Sequence, residues 1–414
     1  MNVQAVVPTE INSARLWSRL MAMADIGPGI AGGSNRQALS DEDKAGRDLF
    51  LSWATAAGCT HEYDAIGNLF VRREGIDPTA APVLLGSHLD TQPTGGRFDG
   101  VYGVLGGFEV IETLNDHNLE TRRPIELCVW TNEEGSRFQY SMMGSGVWAQ
   151  HLELEAALAL ADVNGITVAE ELERQGWNGS RPAAPSEYAA AFELHIEQGP
   201  ILEANDVEVG VVTGVQGFRW YTIDLGGHPV HAGPTPMEGR QDPAKAIGQI
   251  ITQVYEMVDG YAPWGRATFA MFGSDPVSPN TVPERLHCSL DIRHPEREAL
   301  DALDAGMRKI VAAEAHKLGV THTITVDNDS PPVAFADSCI DAVTASVEAL
   351  GLSHQKIISG AGHDACYAAL HVPTSMIFIP CAGGLSHNEA ELITEADAAR
   401  GASVLLGAVV RSAS

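Results

Sequence analysis

Histidines and carboxylates recur along this chain, each time after a short apolar run. The segments are 86–90 (GSHLD), 131–135 (TNEEG), 195–199 (HIEQG) and 383–389 (GGLSHNE), and Asp99 follows the first of them by nine residues. Imidazole nitrogens with carboxylate oxygens form a ligand set that suits Zn²⁺, Mn²⁺, Co²⁺ or Ni²⁺. These groups are enough for two ions that share one carboxylate and lower the pKa of a bridging water. None of the segments contains a cysteine, which excludes a structural thiolate zinc site.

Each of these residues also has an ordinary structural explanation. His88 is compatible with a satisfied histidine at a strand end, Asp99 with the N-cap of a helix, and Glu133-Glu134 with a solvated pair. Their combination favours a metal site. Of two adjacent acids, one can bind metal while the other acts as general base. Asp90 stands two residues after His88, which fits a carboxylate that holds the second ring nitrogen of a metal-binding histidine.

The apolar runs before these segments predict the strands of a parallel sheet that is covered on both faces. We expect strands at 82–86, 125–130, 189–196 and 375–380, with an amphipathic helix over 100–114. Ligands collect outside the carboxyl ends of the strands in such a sheet. The predicted topology therefore brings the histidines and carboxylates to one edge.

A second set of elements interrupts this pattern and predicts an inserted domain. The expected order is strand, helix, strand, strand, helix, strand, at 218–225, 242–258, 267–273, 284–293, 297–317 and 320–327. This order is the split βαβ arrangement of ferredoxin-like domains. We therefore predict an α/β catalytic domain with a mainly parallel sheet over 1–214 and 329–414, and an inserted α+β domain over 215–328.

The inserted domain carries polar residues of its own that could act on a substrate. His228 and His231 lie in a Gly/Pro-rich turn (GHPVHAGPTPM), Asn280 lies in the loop SPNTVP, and Arg293 ends an alternating strand. For Arg293 alone, a surface ion pair is the ordinary explanation. Beside a metal site, however, an arginine with an asparagine suits recognition of a planar carboxylate.

Composition limits the classes of partner and the compartment. The 414 residues include 26 Lys and Arg against 54 Asp and Glu, a formal net charge of −28. Such an acidic surface repels phosphate backbones and anionic lipids, so we expect no nucleic acid and no membrane as partners. The six cysteines show no CxxC spacing, and residues 1–27 show no basic start followed by an apolar run. Both observations favour the cytoplasm.

Other motifs support rival functions only weakly. Residues 360–365 (GAGHDA) match the dinucleotide pattern GxGxxG/A, but the apolar run before them is very short and no acid stands about 20 residues later. His195-Ile196-Glu197 with Pro380-Cys381 partly matches a zinc deaminase signature, but Gly384 replaces its second cysteine. A dehydrogenase and a metal-loaded binding protein without catalysis remain the alternatives from other classes.

A series of longer motifs runs in order from residue 86 to residue 389. They are GSHLDTQPTGGRFDGVYGVLGG, TNEEGSRF, MMGSGV, ELHIEQGPILE, HAGPTPM, PNTVP, DIRHP, SGAGHDA and PCAGGLSHNE. Together they closely resemble the hydantoinase/carbamoylase amidase family of the M20-type metallopeptidase superfamily. That family contains N-carbamoyl-L-amino-acid hydrolases, β-ureidopropionases and allantoate amidohydrolases. The resemblance covers nearly the whole chain.

The resemblance implies two divalent metal ions per subunit, either Zn, Mn, Co or Ni. His88 and His195 would bind one ion, Glu134 and His387 the other, and Asp99 would bridge them. The resemblance also implies the remaining roles. Glu133 would be the general base, Asp90 would hold the metal-binding ring of His88, and His231 would reach the partner subunit's site. The substrate-binding groups would be Gln198, Asn280, Arg293 and the backbone at Gly362.

The activity implied by the resemblance is hydrolysis of the carbamoyl C–N bond by a metal-bridging hydroxide. Substrates would be N-carbamoyl-L-amino acids or N-carbamoyl-β-amino acids, and products the amino acid, ammonia and CO₂. The inserted domain would act as a lid and form a homodimer. An allantoate amidohydrolase is the nearest alternative, followed by a dipeptidase or an N-acyl-amino-acid deacylase.

Overall fold

In the computed structural model, which describes residues 9–414, the chain forms two compact units. The first unit comprises residues 9–214 together with Ala334–Ser414, and the inserted unit comprises Val215–Val333.

Strands and helices are interspersed along the first unit, and those of the inserted unit follow the predicted order. The strands are β1 (Thr60–Tyr63), β2 (Leu69–Arg73), β3 (Val83–His88), β4 (Ile125–Trp130), β5 (Ala190–Ile196), β6 (Val209–Val215), β7 (Gly217–Gly226), β8 (Arg266–Asp275), β9 (Arg285–His294), β10 (Thr321–Ser330), β11 (Val333–Ala334), β12 (His354–Ser359) and β13 (Thr374–Ile379). The helices are α1 (Ser13–Ala24), α2 (Asp41–Ala56), α3 (Val101–Asp116), α4 (Met143–Trp148), α5 (Leu154–Leu158), α6 (Val168–Gln175), α7 (Ile201–Ala204), α8 (Pro243–Asp259), α9 (Arg297–Leu318), α10 (Asp337–Leu350), α11 (Asp364–Ala368) and α12 (Glu395–Ala413), with a short 3₁₀ turn at Ala382–Gly384.

The first unit is built on a nine-stranded sheet in the order β1-β2-β4-β3-β5-β13-β6-β11, with β12 paired to β6. The central strands β4, β3, β5 and β13 are parallel. Antiparallel pairs flank them, β2 with β4 on one side and β6 with β13 on the other. The predicted α/β class with a parallel central sheet is confirmed.

The register of the central strands aligns their carboxyl ends. His88 pairs with Trp130 at the ends of β3 and β4, and His195 pairs with Phe378 near the ends of β5 and β13. The polar segments named above therefore leave the sheet along the same edge, as parallel pairing requires.

Helices on both faces explain why these strands are mainly apolar. Leu84 packs with Trp130 and Trp148 on the face covered by α4, whereas the next residue, Leu85, lies close to Gly107 of α3 on the other face. Successive side chains point to opposite faces of a strand, so both sets are buried.

The inserted unit is a four-stranded sheet in the order β10-β7-β9-β8 with α8 and α9 packed on it. All its strand pairs are antiparallel. Strand β9 alternates as predicted, with Leu286, Cys288, Leu290 and Ile292 buried. Helix α8 begins as predicted after Asp242, whose carboxylate accepts from the backbone N–H of Ala244 at 2.9 Å.

Two further features concern the whole described chain. Among residues 9–414, no helix combines the length and the apolar composition needed to cross a membrane. The six cysteines all carry free thiols.

Candidate metal centre

Asp99 lies between two groups of side chains that could each hold a metal ion. One group is His88, Asp99 and His195, and the other is Asp99, Glu134 and His387. Oδ1 of Asp99 lies 3.1 Å from Nε2 of His195 and 3.7 Å from Nε2 of His88. Oδ2 of Asp99 lies 3.6 Å from Nε2 of His387. The two oxygens of one carboxylate thus face different groups, which is the geometry of a bridging ligand.

The turn after β4 separates the two adjacent glutamates. Oε2 of Glu134 lies 3.3 Å from Nε2 of His387, whereas Oε2 of Glu133 lies 3.5 Å from Nε2 of His88. Asn132 adopts a left-handed backbone with φ of 55°, and its side-chain amide donates to two carbonyls of the following loop. Both glutamates are buried. They are therefore not the solvated pair of the ordinary explanation.

The structure corrects the predicted contact between Asp90 and His88. The Asp90 carboxylate accepts from the backbone N–H groups of Glu133 at 3.3 Å and Glu134 at 3.2 Å. The backbone carbonyl of Asp90, not its carboxylate, lies 2.8 Å from Nδ1 of His88, and the carboxylate is 3.9 Å away. The predicted carboxylate contact is wrong because the prediction considered only side chains, whereas a backbone carbonyl occupies that position.

The histidines of the first group share one orientation. Nδ1 of His88 contacts the carbonyl of Asp90, and Nδ1 of His195 lies 2.9 Å from the carbonyl of Ile196. A carbonyl at Nδ1 favours the tautomer that keeps the Nε2 lone pair free. In both residues Nε2 faces Asp99. This is the arrangement expected of metal-ligating imidazoles.

The electrostatics of the site also fit a cation. Burial lowers the pKa of His88 to about 4. Burial, together with neighbouring carboxylates, raises the pKa of Glu133 and of Glu134 well above the ordinary range. Burial opposes protonation of His195, but the hydrogen bond and charge of Asp99 raise its pKa to about 9. Divalent cations would stabilise the ionised carboxylates and replace the proton that His195 shares with Asp99.

Gln198 and Ser386 both contact the bridging carboxylate. Nε2 of Gln198 donates to Oδ2 of Asp99 at 2.7 Å, and the hydroxyl of Ser386 donates to the same oxygen at 2.7 Å. Gln198, predicted to bind substrate, thus lies at the centre. Ser386 was not predicted, although its position directly before His387 was a usable signal.

A buried network behind His195 was also missed. The ring of His363 lies 4.6 Å from that of His195, and its Nε2 lies 3.0 Å from the Ser359 hydroxyl. Glu193 forms a third histidine–carboxylate group with these two histidines. The motif GAGHDA contains His363, but the sequence analysis compared this motif with a dinucleotide-binding loop and gave His363 no role. That motif leads into the five-residue helix α11, which is too short for a dinucleotide-binding unit.

Predicted residues of the inserted unit occupy two places. The backbones of His231 and Thr281 form a bridge, and the N–H of Ala232 donates to the carbonyl of Asn280 at 2.8 Å. His231 and Asn280 therefore lie on paired segments, and His231 is exposed. His228, whose role was left open, is exposed in the same turn.

Arg293 lies elsewhere in the inserted unit, on β9. It forms an ion pair with Asp291 at 2.8 Å, and its guanidinium lies 5.3 Å from the ring centre of Phe218.

Comparison with known proteins identifies the family. A model of peptidase family M20/M25/M40 matches residues 84–411. The chain belongs to this family. An N-carbamoyl-L-amino-acid amidohydrolase from Rhizobium meliloti is 46% identical to this M20 chain over 407 residues, which cover 97% of each protein. An allantoate amidohydrolase from Escherichia coli (strain K12) is 32% identical over 385 residues, 92% of this chain and 94% of that protein.

A solved structure agrees with this assignment. The crystal structure of a hydantoinase/carbamoylase family amidase from Burkholderia multivorans matches this M20 chain with a TM-score of 0.93 and 49% identity, over 98% of both chains. The predictions of an M20-type hydrolase and of a resemblance to hydantoinase/carbamoylase amidases are confirmed.

Proposed function

We propose that this chain is a metal-dependent N-carbamoyl-L-amino-acid hydrolase. The observation that carries the proposal is the position of Asp99, whose two oxygens face separate histidine-containing groups. The relative from Rhizobium meliloti, with that activity in its name, supports the substrate class at 46% identity. The reaction would release the amino acid, ammonia and CO₂.

The metal ligands of the proposal are the residues of the two groups. His88 and His195 would hold one ion, Glu134 and His387 the other, and Asp99 both, with Zn, Mn, Co or Ni as candidates. When bound, such ions activate water as a nucleophile and polarise the carbonyl of the substrate.

Glu133 is the proton carrier of the proposed reaction. Its Oε2 is 3.5 Å from Nε2 of His88, so it lies at the first group without being needed as its ligand. This position allows its carboxylate to accept a proton from water and return it to the leaving nitrogen. His231 would stabilise the negative charge that develops on the carbonyl oxygen.

The substrate-binding groups follow from the family resemblance. Together, Gln198, Asn280, Arg293 and the backbone at Gly362 would hold the amide and the carboxylate of the substrate. An arginine guanidinium matches a carboxylate with two parallel hydrogen bonds. Preference for the L enantiomer rests on the same resemblance.

The proposal extends to assembly and compartment. Residues 215–328 would form a lid and dimerisation domain, through which His231 reaches the partner subunit's site. We place the enzyme in the cytoplasm because its six cysteines are free thiols. With a formal net charge of −28, we expect neither nucleic acid nor a membrane surface among its partners.

Ammonia release from a panel of substrates tests the proposal. Chelator-treated enzyme is supplied with Mn²⁺, Co²⁺, Ni²⁺ or Zn²⁺ and offered N-carbamoyl-L- and D-α-amino acids, N-carbamoyl-β-alanine or allantoate. We expect metal-dependent ammonia from an N-carbamoyl-L-amino acid, with the Glu133→Gln variant as the inactive control. Ammonia from allantoate alone would instead identify the allantoate branch.

The absence of ammonia release would be equally informative. No ammonia from any substrate, with two ions bound, would contradict carbamoyl hydrolysis and point to a peptide or acyl-amide substrate. No ammonia release together with no metal uptake would overturn the proposed metal centre itself.

A further inference from the structure

Glu391 is a buried carboxylate that the proposed reaction does not use. Only 4% of the residue is exposed. Its Oε1 accepts from the backbone N–H groups of Phe98 at 2.9 Å and Asp99 at 3.1 Å, and its Oε2 lies 3.1 Å from the hydroxyl oxygen of Ser386. Hydrogen bonds of this kind offset the high cost of burying a carboxylate.

The neighbouring backbone is shaped to admit this carboxylate. A side-chain Cβ at Gly96 would overlap the carboxylate of Glu391. Glycine at this position therefore lets Glu391 lie directly against the segment that leads into Asp99.

Glu391 connects two segments that are far apart in the sequence. Asp99 lies between β3 and α3, whereas Ser386 and His387 lie between β13 and α12. The Ser386 hydroxyl lies 2.7 Å from Oδ2 of Asp99 as well as 3.1 Å from Oε2 of Glu391. Glu391 thus holds the backbone of one proposed metal ligand and the residue next to another.

We propose that Glu391 is a positioning residue that keeps Asp99 and His387 together for the same metal ion. This inference rests on the metal centre of the proposed function. Groups that hold metal ligands in place raise the affinity of a site by limiting ligand motion before binding. Because His88 and His195 leave the ends of β3 and β5, the effect concerns chiefly the ion of the group Asp99, Glu134 and His387.

Glu389 provides a matched control in the same loop. It also accepts backbone N–H groups, from Ala31 at 2.5 Å and Gly33 at 3.1 Å, but these belong to a different segment from Asp99. If general anchoring of the loop were sufficient, Glu389→Ala and Glu391→Ala would weaken metal binding equally. Our proposal predicts a difference.

The conservative variant Glu391→Gln tests the contacts themselves. Its carbonyl oxygen can accept from both backbone N–H groups, and its amide can donate to Ser386, whose hydroxyl still donates to Asp99. We therefore expect Gln to preserve the positioning that Ala removes.

Calorimetric and spectroscopic titration with Co²⁺ decides the question. Chelator-treated full-length wild type, Glu391→Ala, Glu391→Gln and Glu389→Ala are compared for the affinity of each ion and for the visible absorption of Co²⁺. We expect Glu391→Ala to lower the affinity for one ion by about 10- to 100-fold and the affinity for the other ion much less. Glu391→Gln and Glu389→Ala should remain close to wild type.

The opposing results are distinct from failure of the proposed function. Wild-type affinities in Glu391→Ala, or an equal loss in Glu389→Ala, would overturn the role of Glu391. A wild type that binds fewer than two ions would overturn the proposed centre and this inference with it. If Glu391→Ala does not fold, Ser386→Ala replaces it, since it removes the hydroxyl between Glu391 and Asp99. Unchanged affinities in that variant would also contradict the proposal.

Discussion

Oε2 of Glu134 lies 3.3 Å from Nε2 of His387, although Glu134 is buried and 54% of the His387 side chain is exposed. One proposed ligand thus comes from a buried turn after β4 and the other from a surface loop. The proposed ligands His88 and His195, by contrast, are both buried. The two ions should therefore differ in their dependence on single residues.

Replacement of His387 should separate the two ions. In His387→Ala we expect one ion per chain instead of two, because His88, Asp99 and His195 remain as ligands. Metal content after dialysis against a fixed concentration of Mn²⁺ measures this. His322→Ala, which changes an exposed histidine on β10, should retain both ions. Two ions in His387→Ala would show that this histidine is not a ligand.

Replacement of Glu133 should separate catalysis from metal binding. Glu133→Gln should bind both ions yet lower kcat by about 10²- to 10⁴-fold, because it removes the proton acceptor. Glu134→Gln, at the next position in the chain, should instead weaken the binding of one ion. Ammonia release and metal content are measured on the same samples. Near-normal turnover in Glu133→Gln would exclude it as the general base.

Hybrid dimers test whether His231 acts across subunits. His231→Ala and Glu133→Gln are each expected to be inactive, but a mixed dimer would contain one complete site. Random exchange makes half of the dimers mixed, so we expect about a quarter of wild-type activity. The measurement is ammonia release after refolding the two variants together, with exchange verified by distinct affinity tags. No recovery despite exchange would contradict a shared site.

The sequence predicted the elements that carry the centre because they are the most buried ones. Strands β3, β4, β5 and β13 are buried along their whole length, so each appears as a mainly apolar run. Strand β1 was not predicted, since its residues 60–63 (THEY) are mostly exposed and carry no alternating pattern.

Contacts between distant segments could not be predicted from the sequence. Glu391 reaches the backbone of Asp99 across 292 positions, and nothing local distinguishes it from the surface glutamates. The contact between the Asp90 carbonyl and Nδ1 of His88 could not be predicted either, because it depends on the path of the backbone and not on side-chain types. Motif spacing identified which residue types meet at the sheet edge, but not which atoms touch.

A buried ion pair on α2 contacts the backbone segment just before Glu133 and so stabilises that turn. The side chains of Asp43 and Arg47 are fully buried and lie 3.3 Å apart. Arg47 also donates to the carbonyl of Gly67 at 2.8 Å and to the Thr131 hydroxyl at 3.3 Å, just before the glutamates. Removing Asp43 would leave a buried guanidinium without its carboxylate. We expect Asp43→Ala to lower the free energy of unfolding by about 3–5 kcal/mol.

The same helix provides the comparison for this ion pair. Lys44 and Asp48 have the same spacing and lie 2.8 Å apart, but their side chains are 42% and 56% exposed. Water screens such a pair, so Asp48→Ala should change the free energy of unfolding by less than about 0.5 kcal/mol. Urea unfolding of the chelator-treated protein measures both variants, with separate transitions fitted for the two compact units. Equal small changes would mean that Arg47 finds compensation in its carbonyl contact and in the ring of Trp177, 4.5 Å from its guanidinium.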